Sequence, residues 1–299
     1  GLDTENTPTG AEGRWVDGDK IRFRKGLPQK IGGWTKFSTG YYIGVGRALE
    51  QWFSLDGGRY EAIGTDRKIY TYASGISQDI TPIRSTDALV NAISTTTSSN
   101  IITITDAGHG ASQGDFVTLS NVSATVGGLT ASVLDAEYEI LTISNTNAYT
   151  VQSSGTANAN VAPTANCTAN YQIGIGPSIQ TFGFGWGSGT WNTGTWGTAR
   201  SSSNVVLDAR LWSINNWGED LIITQKDGST YEWNLSGGMT NNRCTVVANA
   251  PTNSTLSMIS TETRHVVCLG TETAIGNTAS VDKMFIRWSD QENYNQWTP

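Results

Sequence analysis

Charge, histidine and cysteine are scarce in this chain, and long apolar runs are missing. Charged residues make up 15% of its 299 residues, too few for a disordered polyelectrolyte. No apolar run reaches the roughly 20 residues a membrane-spanning helix needs. The N-terminus has no basic segment followed by an apolar one, so no export signal is expected. No stretch of three or more turns places apolar residues at i, i+3, i+4 and i+7, which argues against amphipathic helices. The three cysteines, Cys167, Cys244 and Cys268, are odd in number and unpatterned. They form neither a disulfide framework nor a CxxC metal signature. Buried free thiols, made in a reducing cytosol, are expected. Basic excess is missing too. The net charge of −7 counts against a protein that grips nucleic acid, because gripping requires Lys and Arg to neutralise phosphates. An acidic surface would let DNA slide past.

What the chain does have is glycine (34), tryptophan (11) and tyrosine (10), with dense Thr, Ser and Asn. Aromatic and β-branched residues separated by Gly, Asn, Asp and Ser are what strands and tight turns require. The expected fold is all-β, and the length suggests two domains. The chain opens without Met and stops at Trp297-Thr298-Pro299, and trimming at one or both ends is expected.

Along the chain, residues 1–13 read as an extended polar arm. Ile21 and Phe23 then alternate with Arg22 and Arg24, the period of a half-buried strand, with a turn expected at Gly26-Leu27-Pro28. Residues 48–54, the turn Asp56-Gly57-Gly58, residues 60–65, a turn at Asp66-Arg67 and residues 68–72 form a strand–turn–strand series, because Asp-Gly between β-prone runs marks a hairpin. Between about Ser85 and Tyr171 tryptophan disappears. Strands are expected at 101–105, 115–119, 137–143 and 148–152, with turns at 108–110, 127–128 and 145–147. Four or five short strands in this span suggest a small inserted β-barrel, with residues 155–166 as its exit linker.

Past Gly174 the Trp-rich style returns. Trp186, Trp191 and Trp196 recur every five residues in a glycine-rich run, a spacing that fits neither strand nor helix and predicts a loop. The hairpin pattern then repeats: residues 211–214, a turn at 215–219, residues 220–224, the turn Asp227-Gly228 and residues 229–233, with Trp212 set against Trp52. A third, more degenerate copy covers 264–270 and 283–289. Repeated units of three or four strands, none able to bury both faces alone, predict a β-propeller-like domain. The expected organisation is residues 1–84 as arm and first propeller strands, 85–172 as inserted β-barrel, and 173–299 as further blades. The outer segments supply only about 210 residues, and a blade takes about 40–50. The array is therefore expected to be incomplete in this chain and completed beyond Pro299.

Three passages (residues 13–34; residues 62–66 with Ile69-Tyr70; residues 286–293 with Trp297-Thr298-Pro299) resemble the tail nozzle or tail-hub proteins of short-tailed bacteriophages, the packaged-DNA stabilisation group. The likeness spans about two thirds of the chain. The middle module, with Gly108-His109-Gly110, Gly114-Asp115-Phe116-Val117 and Glu137-Tyr138, resembles a small β-barrel inserted in many phage tail proteins. The resemblance implies a virion structural protein, made in the host cytoplasm, that forms a ring, a hexamer, beneath the portal and adaptor. Its partners would be copies of itself, adaptor or portal-proximal tail proteins, and tail fibres or spikes. Double-stranded DNA would be held until infection and then conducted without specific binding. A receptor-binding or polysaccharide-degrading tail module is the alternative.

Candidate chemistry is thin. His109 and His265 lie in different modules, and no Gly-x-Ser-x-Gly elbow supplies a nucleophile. Asp17-Gly18-Asp19 and Asp56-Gly57-Gly58 could offer oxygen ligands, yet neither fits the twelve-residue calcium loop, and turn chemistry explains both. Paired carboxylates for glycoside hydrolysis need separations that sequence does not give. No catalytic role, metal or cofactor is expected. Trp186, Trp191 and Trp196 are candidate interface anchors, with loop packing and sugar stacking as the other readings. Arg22 and Arg24, the centre of a basic cluster with Arg14, Lys20, Lys25 and Lys30, are candidate contacts to DNA or an acidic neighbour. A solvated strand face is the simpler reading.

Overall fold

A computed structural model describes residues 2, 7, 9–10, 12–33, 40–174, 176 and 209–297. The chain divides into two compact units, residues 1–39 and 40–299. In the first, β1 (Ile21–Arg24) and β2 (Leu27–Lys30) pair antiparallel, with Arg24 opposite Leu27. The turn sits at Lys25-Gly26, both with positive φ (51° and 82°), the type I′ geometry whose twist matches a hairpin. The expected turn at Gly26-Leu27-Pro28 is thus displaced by one residue. Pro28 lies within β2 opposite Phe23, which a two-stranded ribbon tolerates because one side of each strand needs no partner.

The second unit begins with a four-stranded antiparallel meander: β3 (Gly46–Phe53), β4 (Arg59–Thr65), β5 (Ile69–Ala73) and β6 (Ile76–Asp79), hydrogen-bonded in chain order. Asp56-Gly57-Gly58 makes its first connection, with Gly57 at φ 83°. Asp56 accepts from Ser54 Oγ and from Gly58 N at 3.1 Å. That carboxylate is satisfied by its own turn.

Eight strands follow: β7 (Ile83–Leu89), β8 (Ile93–Thr95), β9 (Ile101–Thr105), β10 (Phe116–Ser120), β11 (Glu137–Asn145), β12 (Ala148–Gln152), β13 (Val161–Thr164) and β14 (Cys167–Gln172). A one-turn helix, α1 (Ala131–Leu134), precedes β11. They form one sheet in the order β13-β8-β9-β12-β11-β10-β14-β7. Laid flat, eight strands would spread over about 34 Å, yet side chains from nearly every strand share one core. It includes Ile93, Ile104, Val117, Ile140, Tyr149, Ala169 and Tyr171, closed by Leu134 of α1. The sheet must therefore curl around that core, although no ladder joins its edge strands β13 and β7. Sequence pattern under-counted these strands: it missed β7 and β14 as well as β8 and β13, the last two only three and four residues long. It also misread residues 155–166. Within this expected linker, β13 pairs with β8 across a register shift between Val161 and Thr164, with Pro163 on the sheet's edge.

Two further meanders complete the unit. β15 (Trp212–Trp217), β16 (Asp220–Gln225), β17 (Thr230–Trp233) and β18 (Thr245–Val246) form a second four-stranded sheet, and β19 (Leu256–Ile259), β20 (Val266–Leu269) and β21 (Ile286–Trp288) a three-stranded one. Asn215 and Asn216, expected in a turn, continue β15 opposite Ile222 and Leu221, and the turn contracts to Gly218-Glu219. Apart from α1 and two three-residue 3-10 turns, every element among the described residues is a strand. The fold is all-β.

Candidate functional site

The meanders meet along two apolar seams. The first buries Trp52, Ala62 and Ile69 of the first meander against Trp212, Leu221, Ile223, Tyr231 and Trp233 of the second. Its polar ends are reciprocal. Trp52 Nε1 donates to Glu219 O at 3.0 Å, and Trp212 Nε1 donates to Thr65 O at 2.6 Å. Each indole thus fills the seam and ties its N–H to the neighbouring sheet's backbone. Gly64 makes the approach possible: a Cβ there would sit 2.7 Å from the Trp212 ring.

The second seam buries Trp217, Ile222 and Val247 against Val266, Cys268 and Trp297. Tyr294 packs edge-on against Trp217 at 5.4 Å, and the Arg264 guanidinium lies 4.7 Å from the Trp217 ring centroid. Trp52 is the penultimate residue of the first strand of its meander, and Trp217 ends the first strand of the next. Each faces the following sheet. The structural counterpart of Trp52 is therefore Trp217, and not Trp212 as the sequence alignment had it, because Trp212 heads β15 and faces back toward the first meander.

Where the curled sheet joins the meanders, a buried lysine meets a cluster of partly exposed charged groups. Lys68 is 1% exposed. Its Nζ donates to Asp79 Oδ2 at 2.8 Å and to Glu137 Oε1, and stands 4.3 Å from the Phe116 ring centroid. Arg243 reaches Asp79 Oδ1 at 3.4 Å, Glu137 Oε2 at 3.7 Å and Thr81 O at 2.8 Å. Gln172 Nε2 donates to Glu137 Oε2 at 2.6 Å. Burial alone would raise the Asp79 carboxyl, but the Lys68 and Arg243 cations outweigh it and hold it below its ordinary value. Desolvating such a network offsets most of its Coulombic gain. Its effect is to fix orientation, since β6, β11, β14 and the β17–β18 connection must all stay in place to keep the charges matched. Lys68 and Asp79 flank one hairpin, but Glu137, Gln172 and Arg243 come from three distant segments with no shared spacing, so nothing local in the sequence marked the cluster. Lys68 beside the wholly buried strand β5 was the one available sign.

The sequence-predicted positions divide as follows. Trp186, Trp191 and Trp196 lie outside the described residues. Arg22 and Arg24 share the exposed face of β1, with Ile21 and Phe23 half-buried on the other, and Arg22 Nε donates to Gln29 Oε1 at 3.1 Å. His109 spends both ring nitrogens on backbone: Nε2 donates to Asn145 O at 3.1 Å and Nδ1 accepts from Ala111 N at 3.1 Å. His265 Nδ1 donates to Ser289 O at 2.7 Å. Both histidines tie loops together. The three cysteines are buried free thiols, and burial pushes Cys167 and Cys268 up to about 11. Among the described residues no three His, Cys, Asp or Glu side chains cluster as a metal site. No helix among them is long and apolar enough to cross a membrane.

No family model matches this chain, and no curated protein does. Among solved structures it is similar to the phage phi92 endosialidase, with a TM-score of 0.26 and 13% identity, over 91% of this chain and 39% of that one. The chain thus spans about two fifths of that protein's length. A TM-score of this size carries no argument about shared fold, and the activity in that name is that protein's own.

Proposed function

We propose that this chain is a structural component of a short-tailed phage tail, a nozzle or hub subunit that rings the DNA path. In this reading residues 1–84 supply an arm and the first blade of a propeller-like array, 85–172 an inserted β-module, and 173–299 further blades. The observation that carries it is the pair of tryptophan seams, which set successive antiparallel meanders side by side in one repeating relation. Each interface is apolar and aromatic, and the third sheet ends at β21, an edge without a neighbour among the described residues. That edge is open to pairing with a strand of another copy. The acidic surplus fits a passage that duplex DNA crosses without being held.

Size-exclusion chromatography with light scattering tests the reading. The expected result is a mass several times that of one chain, or assembly when tail-adaptor protein is added. Duplex DNA at about 0.15 M salt should show no retardation on a gel, since an acidic surface is screened but not reversed. A persistent monomer that releases sugar from bacterial polysaccharide would overturn the proposal in favour of a receptor-degrading module.

A further inference from the structure

Between the curled sheet and the second meander lies a cleft of about 290 Å³ lined by Arg84, Ser112, Asp115 and Arg210, with Gly110, Gly174 and Gly176 in its wall. Both arginines pack against aromatic rings. Arg84 Nη2 donates to His109 O at 3.0 Å, and its guanidinium lies 5.5 Å from the Tyr171 ring centroid. Arg210 stacks 5.9 Å from the Trp212 ring centroid. Its Nη1 is buried without a hydrogen-bond partner. Neither cation has a carboxylate within ion-pairing distance among the described residues. Two left-handed glycines let the guanidinium groups approach backbone: a Cβ on Gly110 would sit 3.0 Å from Arg84 Nη1, and one on Gly176 2.6 Å from Arg210 Nη2.

Burial drives the Arg210 guanidinium down to about 10, with Tyr231 and Asp115 partly opposing. A desolvated guanidinium is stabilised by an anionic partner, and an anion entering the cleft would meet both arginines that line it. Among the described lining residues two arginines stand against one carboxylate, Asp115, which accepts from Ser112 N at 2.8 Å, and that excess of positive charge suits an anionic group.

We propose that this cleft is an anion-binding subsite that takes one carboxylate or phosphate group between Arg84 and Arg210. Its size fits a sugar-sized molecule, and Ser112 and Gln113 supply neutral polar groups beside the charged pair. A sugar acid and a free phosphate share this chemistry, and titration separates them.

The full chain would be titrated by calorimetry with sodium glucuronate, inorganic phosphate and glucose, at low ionic strength. One of the two anions is expected to bind saturably at one site per chain, and glucose is not. Whichever anion binds tighter identifies the source. Arg210→Met keeps the apolar stem over Trp212 and should weaken binding by about tenfold or more, the worth of one charge-assisted hydrogen bond. Arg210→Lys should fall between. If neither anion binds the wild-type chain at about 10 mM, or if Arg210→Met binds as tightly as wild type, the subsite does not exist. The wild-type titration decides the matter even if a variant fails to fold.

Discussion

Lys68 is the residue whose environment constrains the chain most tightly. Its ammonium is enclosed by Asp79, Glu137 and the Phe116 ring, so the cost of a substitution depends on which charge is left unmatched. Asp79→Asn leaves a buried lysine beside Arg243 with only Glu137 between them. Breaking a buried pair in this way costs about 3 kcal/mol or more. Lys68→Met should cost less, because Asp79 keeps Arg243 and the Thr81 N–H at 2.9 Å, and Glu137 is partly solvated. Melting temperatures of the two variants test that ranking, and it fails if Lys68→Met melts lower. Asp79 also sets a pH limit. Its carboxyl is depressed in the folded state, so its contribution is complete above the ordinary value of 3.8 and is lost as pH falls through the lower folded value. Stability should drop below about pH 4 in wild type and less steeply in Asp79→Asn, as thermal melts across pH would reveal. The buried thiols give a simpler check. Cys167, Cys244 and Cys268 should be silent to a thiol reagent at pH 8 in the native chain, with all three reacting once it is denatured.

At the scale of elements, the seams turn a row of sheets into one body, and Gly64 is where the first seam is most exposed to test. A methyl group at 2.7 Å from the Trp212 ring cannot be absorbed by a small shift. Gly64→Ala should therefore displace Trp212, break its hydrogen bond to Thr65 O and destabilise by about 1–3 kcal/mol, as overpacking does. Loss of near-ultraviolet tryptophan signal with unchanged far-ultraviolet signal at moderate temperature would mark seam opening; an unchanged spectrum would show that the seam tolerates the methyl. Hairpins joined by Asp56-Gly57-Gly58 and Asp227-Gly228 were legible in the sequence because their turns hold left-handed residues, Gly57 and Asp227, of types that tolerate that backbone and so leave a local signature. The edge strand β13 was not. Its sequence, Val161-Ala162-Pro163-Thr164, has weak strand preference of its own and is ordered by pairing with β8.

For the whole molecule, the relevant feature is that the third sheet stops at β21. Ile286 and Trp288 are 52% and 54% exposed on that edge, and Met284 beside them is more so. Exposed apolar edge strands invite pairing with another strand, and a charge there is the usual deterrent. If this edge carries assembly, the double variant Ile286→Lys/Trp288→Lys should lower the assembled mass in light scattering while leaving the melting temperature within a few degrees. An unchanged mass would move the interface elsewhere.

The sequence by itself determined the all-β class, the Asp-Gly hairpins, the tryptophan-free middle segment and the buried state of the cysteines. Each depends on short-range backbone preference or on composition, and both are written residue by residue. Tertiary structure alone decided which tryptophan matches which, how the middle strands curl around one core, and where Lys68, Asp79, Glu137, Gln172 and Arg243 meet. Such pairings come from segments up to 175 residues apart. Burial makes them selective, because a desolvated charge or indole N–H accepts only the partner that the packed sheets bring within reach.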